Sequence, residues 1–343
     1  MNNPLFSIII PVYCAEKYLD ICIESIRDQS HKDYQVVLID DGSPDQCHEI
    51  CDKYALIDDR ISVIHQENRG VSIARQVGVK KARGQYLVFV DSDDWVEKDF
   101  LNSMKEIITN YSPDIICFGG YLVTADSRIP MPFPMHEKMY DRDSIVRDIF
   151  PMLIEDSKGK YFPNGLCHKV IRKELFMKNQ VENKRIVMGE DAACVKPCIY
   201  HAYKLYIDSG LYYNYRRNES SVTVSGRPLL WDGPMLIAEH YDEHINLSEY
   251  DFKDQVYRNT VHNLFNVAVS QFNREESFFA IVNEIRVELA NPAYSEAIRK
   301  AKFHSISGIV CEFSVRYRIY IAFYFRWLQK YGLRSRIRLL SIR

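Results

Sequence analysis

The first 120 residues alternate short apolar strand patterns with amphipathic helical ones, and this alternation constrains the fold more than any other property of the chain. Ser7–Val12 is a β-rich run, and Tyr18–Gln29 follows with helical spacing of Leu19, Cys22, Ile23 and Ile26. Strands expected at Tyr34–Ile39, Ile61–His65 and Tyr86–Val90 interleave with helices at Gln46–Leu56 and Val71–Ala82, and Asp114–Phe118 supplies a fifth strand. The fourth strand pattern is apolar throughout, as in a strand covered on both faces. This order predicts an α/β fold with a doubly wound, mostly parallel sheet. Ligands of such sheets bind beyond the carboxyl ends of the strands.

After about residue 125 the pattern changes. The Pro-rich loop Ile129–Pro134 precedes an expected helix at Asp143–Glu155, and another helix is expected at Asp191–Tyr200. Strand-like pieces follow at Lys204–Asp208 and Leu211–Arg216, and beyond Pro234 the pattern is helical. A domain boundary is expected near residue 228, with a helical extension over 229–343.

With 343 residues, 47% of them hydrophobic, the chain can bury a sizeable core. Its net charge of −2 hides an asymmetry, because residues 301–343 hold nine Lys/Arg and one Glu. An acidic body with a basic, aromatic tail argues against nucleic acid as a partner and for a surface-seeking end. The amino terminus lacks the basic region of a signal peptide, and no run reaches membrane-spanning length. The nine scattered cysteines read as buried, reduced thiols. The C-x3-C pairs Cys47/Cys51 and Cys194/Cys198 lack the further His or Cys partners of a zinc site.

Four segments fall at strand ends: PVYCAEKY (11–18), IDDGSPD (39–45), ENRGVSIARQVGVKKARG (67–84) and FVDSDDW (89–95). They offer an aromatic face, several carboxylates and an arginine on a helix, a set that suits a nucleotide. Three acids within four residues, Asp91, Asp93 and Asp94, repel one another unless a positive charge sits against them. In an extended chain Asp91 and Asp93 project to one side and Asp94 to the other.

These segments, with the later GED (189–191), resemble family 2 glycosyltransferases of the inverting GT-A type. The match runs in order over residues 6–100 and continues more weakly through KVIRKELF, MGEDAAC and YYNYRRNESSVT to about residue 225. One departure is Cys14, where the family often has Asn. The resemblance implies a GT-A (nucleotide-diphospho-sugar transferase) fold over 1–228, with a nucleotide-binding half at 1–120 and an acceptor-side half at 121–228. It puts Pro11, Tyr13 and Glu16 at the base, Asp41 on the uracil N3–H, Arg75 near the diphosphate, and Asp91 with Ser92 at the ribose and sugar. Asp93, with Asp91, would hold Mn2+ or Mg2+, whose hardness matches carboxylate oxygen. Asp191 matches the catalytic base, supported by Glu190, while Lys169 either reaches the substrate side or is an ordinary solvated lysine.

Plainer readings stand beside these. Asp94-x-x-Glu97 has the form of a capping box, so Asp94 is expected to cap the next helix. Asp40 is expected to hold loops at the sheet edge, and Asp45 to cap its helix. His168 and His201 read as structural, whereas Tyr215, Arg216 and Ser221 read as a strand and loop closing on the site. In the tail, Tyr320, Phe323 and Trp327 among arginines suggest an interfacial helix on anionic lipid, against a helix packed on the body.

The expected activity is transfer of one sugar from a UDP-sugar to a hydroxyl of a saccharide acceptor, lipid-linked in the implied setting of capsule, O-antigen or exopolysaccharide assembly. The expected location is the cytoplasmic side of the cell membrane, held peripherally through residues 313–343. The processive Q-x-x-R-W signature is missing, since Phe323 stands where Gln is needed. A nucleotidyltransferase would need a glycine-rich loop after the first strand, and PVYCAEKY has no glycine. A catalytically silent GT-A domain serving as a UDP-sugar-binding or scaffold subunit is the remaining alternative.

Overall fold

A computed structural model of the protein describes residues 3–183, 185–186, 189–217 and 228–329. Strands β1 (Phe6–Val12), β2 (Tyr34–Asp40), β3 (Ile61–His65) and β4 (Tyr86–Phe89) are parallel neighbours. Helices α1 (Leu19–Arg27), α2 (Cys47–Ile57) and α3 (Val71–Lys81) connect them. Every residue of β1, β2 and β4 is buried, as their unbroken apolar patterns require. Burying each isoleucine of β1 stabilises by about 1.5–3 kcal/mol. On α1 the buried residues are Leu19, Cys22, Ile23 and Ile26, one stripe at helical spacing.

Next come β5 (Trp95–Val96), α4 (Phe100–Tyr111), β6 (Ile115–Val123), β7 (Arg128–Met131), β8 (Lys138–Asp141) and α5 (Arg142–Asp148). The strands β9 (Lys169–Arg172) and β10 (Lys204–Arg216) flank α6 (Lys173–Asn179) and α7 (Glu190–His201). Among the described residues the sheet runs β3-β2-β1-β4-β9-β6-β10-β5, with β7 on β6 and β8 on β10. β9 lies antiparallel between β4 and β6, so the sheet is mixed α/β and mostly parallel in its first half. The two strand pieces expected over 204–216 form one strand, and its register slips between Ile207 and Leu211, where the sequence pattern breaks.

Gly78 positions α3. A Cβ there would lie 2.5 Å from Ile9 Cγ2 and 2.7 Å from Ile39 Cδ1, so only glycine lets the helix lie this close to β1 and β2.

The chain divides into two compact units: residues 1–149 with 163–218, and residues 150–162 with 219–343. The helix expected over Asp143–Glu155 ends as α5 at Asp148, and the segment after it belongs to the second unit. There Gln255 accepts from the Ile154 and Glu155 amides and donates to the Phe150 carbonyl. The fully buried Glu155 meets His262 Nδ1 at 2.7 Å.

The second unit is helical: α8 (Gly233–His244), α9 (Phe252–Gln271), α10 (Phe278–Glu288), α11 (Pro292–Lys300) and α12 (Ile306–Arg316). Its core gathers Val261, Leu264, Phe265, Ile281, Ile285, Val315 and Phe323. Here the structure corrects an expectation. Phe323 is 0% exposed, while Tyr320 and Trp327 pack against the same core, and Trp327 Nε1 donates to Asn273 Oδ1 at 2.8 Å. These three aromatics face inward because they complete the apolar surface of α9. The outward apolar residues are Ile306, Ile309, Val310, Phe313 and Tyr317, then Ile319, Ile321 and Phe325. Residues 330–343 of the tail lie outside the described residues, and no described helix is long and apolar enough to cross a membrane.

Candidate active site

The carboxyl ends of β1, β2 and β4 bring three of the four motif segments to one edge of the first unit, and α3 presents Arg75 there. Arg75, only 7% exposed, is held among three acids, the farthest of them 116 residues away in sequence. Its Nη1 donates to Asp191 Oδ1 at 2.8 Å and more weakly to Glu190 Oε1 at 3.5 Å, and its Nη2 donates to Asp91 Oδ1 at 3.0 Å. Burial opposes its charge, but Asp191 and Asp91 outweigh that, and its pKa is held above the usual value. Among the described residues the buried Nε–H of Arg75 meets no acceptor.

Each acid has a second support. Asp191 Oδ2 accepts from the Leu166 amide at 3.1 Å, and Asp91 Oδ2 accepts from the Cys167 thiol at 3.3 Å. Lys169 is fully buried and donates to the carbonyls of Pro163 and Gly165 at 2.9 and 2.7 Å. It therefore braces the loop whose next residue, Leu166, holds Asp191. Burial lowers the Lys169 pKa. Glu190 opens α7, and burial, then the charge of Asp191, pushes its pKa up to about 7.

Asp94 departs from its expected role. It caps no helix: α4 begins at Phe100 with Asp99 before it, and the buried Asp94 carboxylate accepts from Tyr213 Oη and from the Arg216 amide, each at 2.7 Å. Burial, then the charges of Asp91 and Asp93, raises its pKa to about 8. The Tyr213 hydroxyl also accepts from the Asp91 amide at 3.1 Å, and Arg216 Nε donates to the Asp93 carbonyl at 2.8 Å. The Arg216 guanidinium lies over the Trp95 and Tyr18 rings. The FVDSDDW loop is thus pinned by β10. Asp93 and Asp91 remain half-buried, while Ser92 is buried.

At the β1 and β2 ends, Pro11 is buried in β1 and Tyr13 is 50% exposed. Glu16 and Asp45 tie the loop after β1 to the start of α2: the Gln46 amide donates to Glu16, and the Glu16 amide to Asp45. Asp45 also accepts from the Cys47 amide at the start of α2. Asp40 accepts from the Ser43 amide and from His65. Asp41 accepts from Gln66 Nε2 and from the Arg69 and Gly70 amides, so three donors of the protein already hold it. His168 packs on Phe118 and Tyr213, and burial lowers its pKa to about 4. Ser221 lies outside the described residues.

Sequence reasoning missed Tyr213, Cys167 and the Leu166 amide. A signal existed only for Tyr213, which lies in the aromatic strand run LYYNYR.

The family model for glycosyl transferase family 2 matches residues 7–176. An uncharacterized glycosyltransferase of Haemophilus influenzae is 44% identical over 203 residues, 53% of this chain and 79% of that protein. EpsJ of Bacillus subtilis, an uncharacterized glycosyltransferase, is 33% identical over 225 residues, 64% of this chain, which spans 63% of EpsJ. In structure, residues 1–349 of S. aureus TarS match with a TM-score of 0.65 at 19% identity, over 96% of this chain and 91% of that one. The same TarS piece has been crystallised in complex with UDP-GlcNAc. That likeness carries the fold, and the sequence relatives carry the family: the chain belongs to glycosyl transferase family 2.

Proposed function

We propose that the chain transfers one sugar, with inversion, from a UDP-sugar to a hydroxyl of a saccharide acceptor in surface polysaccharide assembly. The observation that carries this reading is the single guanidinium of Arg75 spanning Asp91 and Asp191. It puts a donor-side acid and a base candidate within the reach of one side chain. Asp191 takes the proton of the acceptor hydroxyl as that oxygen bonds to the anomeric carbon. The bond from that carbon to the diphosphate oxygen breaks on the opposite face, and UDP leaves with the electron pair. The unmatched Nε–H of Arg75 supports a role in meeting a diphosphate oxygen. Tyr13, Pro11 and Glu16 would border the base, Asp41 would give its remaining lone pair to the uracil N3–H, and Ser92 would lie beside the ribose.

Asp93 and Asp91 fit a divalent cation: they are half-buried carboxylates in a loop where acids outnumber arginines. They would hold Mn2+ or Mg2+, which when bound supplies positive charge to the leaving diphosphate. Glu190 and Lys169 would support the base from either side. The acceptor is read as lipid-linked and the enzyme as peripheral on the inner membrane face. The exposed apolar residues of α12 and of the helical stretch at 320–329, with Arg318 and Arg326 in the same segment, support that contact.

The test is UDP release from a panel of UDP-sugars with Mn2+, comparing wild type with Asp93→Ala and Asp191→Ala. Turnover lost in both variants is expected. Turnover that survives Asp93→Ala would sink the metal assignment, and metal-dependent UDP binding without turnover of any donor would favour a binding or scaffold subunit.

A further inference from the structure

The last turn of α8 carries His240, Glu243 and His244 in the sequence HYDEH, at positions i, i+3 and i+4. Residues so spaced share one helix face. One ligand atom from each lies within 4.8 Å of the other two. A tetrahedral zinc ion with bonds near 2.0–2.1 Å needs its donors about 3.3 Å apart, so small side-chain rotations close the set. We propose that this turn is a binding site for a borderline divalent transition metal, Zn2+ by preference, in the helical second unit.

The hydrogen bonding around the turn is what a metal-binding histidine requires. His244 Nδ1 lies 2.9 Å from the carbonyl oxygen of His240. A carbonyl can only accept, so Nδ1 carries the hydrogen and Nε2 is the lone-pair nitrogen of the neutral ring. Ligating histidines are commonly oriented by such a backbone acceptor. The His240 and His244 rings stack with centroids 4.1 Å apart, which keeps both imidazoles on one side of the helix. His240 is buried and its neighbour Tyr241 is almost wholly enclosed, so the turn is anchored by packing before any ion arrives.

The turn also lies at the carboxyl end of α8, where the helix dipole favours a cation. Glu243 is exposed and His244 half-buried, which leaves a fourth position open to water. Two imidazoles and one carboxylate select Zn2+, Ni2+ or Cu2+ over Mg2+ and Mn2+. This separates the site chemically from the all-carboxylate pair Asp91 and Asp93, and its success or failure leaves the glycosyl-transfer reading untouched.

The experiment is a Zn2+ titration of the chelator-stripped full chain against a chromophoric competitor, with thermal unfolding alongside. One ion per chain at micromolar affinity is expected, with a rise in Tm at saturating Zn2+ and no competition from excess Mg2+. His244→Ala should weaken binding at least tenfold and abolish the Tm rise, and Glu243→Gln should weaken it severalfold. Both positions reach solvent, so these variants test the site even if His240→Ala fails to fold. Asp93→Ala should bind the ion as wild type does. Binding unchanged in His244→Ala, or binding lost in Asp93→Ala instead, would overturn the proposal, as would absence of Zn2+ binding to the wild type.

Discussion

Arg75 donates to Asp191 at 2.8 Å from the same nitrogen that leans toward Glu190, while its other terminal nitrogen holds Asp91. One planar fork thus joins acids from two distant segments, and an ammonium cannot reproduce it. Arg75→Lys is expected to lower sugar turnover at least tenfold, about 1.4 kcal/mol of transition-state stabilisation. Arg75→Met leaves three acids without their shared cation and should lower the unfolding free energy by about 2–4 kcal/mol. Steady-state UDP release and urea unfolding measure the two effects.

Glu190 gives the site a pH dependence of known sign. Burial, then the charge of Asp191, raises its pKa to about 7 from the ordinary 4.5, so the native state keeps a proton that the unfolded chain releases. Unfolding free energy should therefore fall as pH rises through this window and level off above it. Glu190→Gln removes the penalty. The variant should be more stable than wild type at pH values about one unit above 7, and the difference should vanish near pH 4. Denaturant midpoints across the range decide it, and parallel curves for the two proteins would contradict the assignment.

Tyr213 joins two acids of one loop: its hydroxyl donates to Asp94 and accepts from the Asp91 amide. Tyr213→Phe leaves a buried carboxylate and a backbone amide each one partner short, at a cost of about 1–3 kcal/mol. Because Asp91 and Asp93 lie in the same loop, KM for the UDP-sugar should rise more than kcat falls. A loss of stability with an unchanged KM would confine Tyr213 to packing.

Cys14 sits at φ +52°, in the left-handed region that side chains other than Asn, Asp and Gly avoid. The family's frequent Asn at this position thereby acquires a backbone reason. Cys14→Asn should stabilise the protein by about 0.5–1 kcal/mol, read from the denaturant midpoint at constant m.

Phe313 on α12, Tyr317 in the turn after it, and Ile321 and Phe325 on the helical stretch at 320–329 are exposed, with Arg318 and Arg326 in the same segment. The double variant Phe313→Asp with Phe325→Asp should cosediment with anionic vesicles several-fold less than wild type. Its hydrolysis of a UDP-sugar should be unchanged. Equal sedimentation of both proteins would end the membrane reading of these residues.

The sequence was legible where physics is local. Strand periods and the stripe on α1 need no distant partner to be read. It misled where a remote group supplies the decisive donor. Asp94-x-x-Glu97 looks like a cap because a capping box counts only neighbours, whereas the hydroxyl that satisfies Asp94 comes from 119 residues later. Trp327 and Phe323 looked lipid-facing because the tail alternates aromatic and basic residues, and only the shape of α9 turns them inward. Lys169 could not be placed from sequence, since nothing local marks the carbonyls of Pro163 and Gly165 as its partners.

The attachment of FVDSDDW to β10 also bears on how the molecule comes to exist. During synthesis the acidic loop emerges well before α7 and β10, which supply the Asp191 that shares Arg75 and the Tyr213 and Arg216 that fasten Asp94. Until residue 216 has been made, β1 to β4 and their helices carry an acid cluster that lacks these fastenings. The edge that carries FVDSDDW is therefore a late-completing structure, fastened by a strand whose Tyr213 lies 119 residues beyond Asp94.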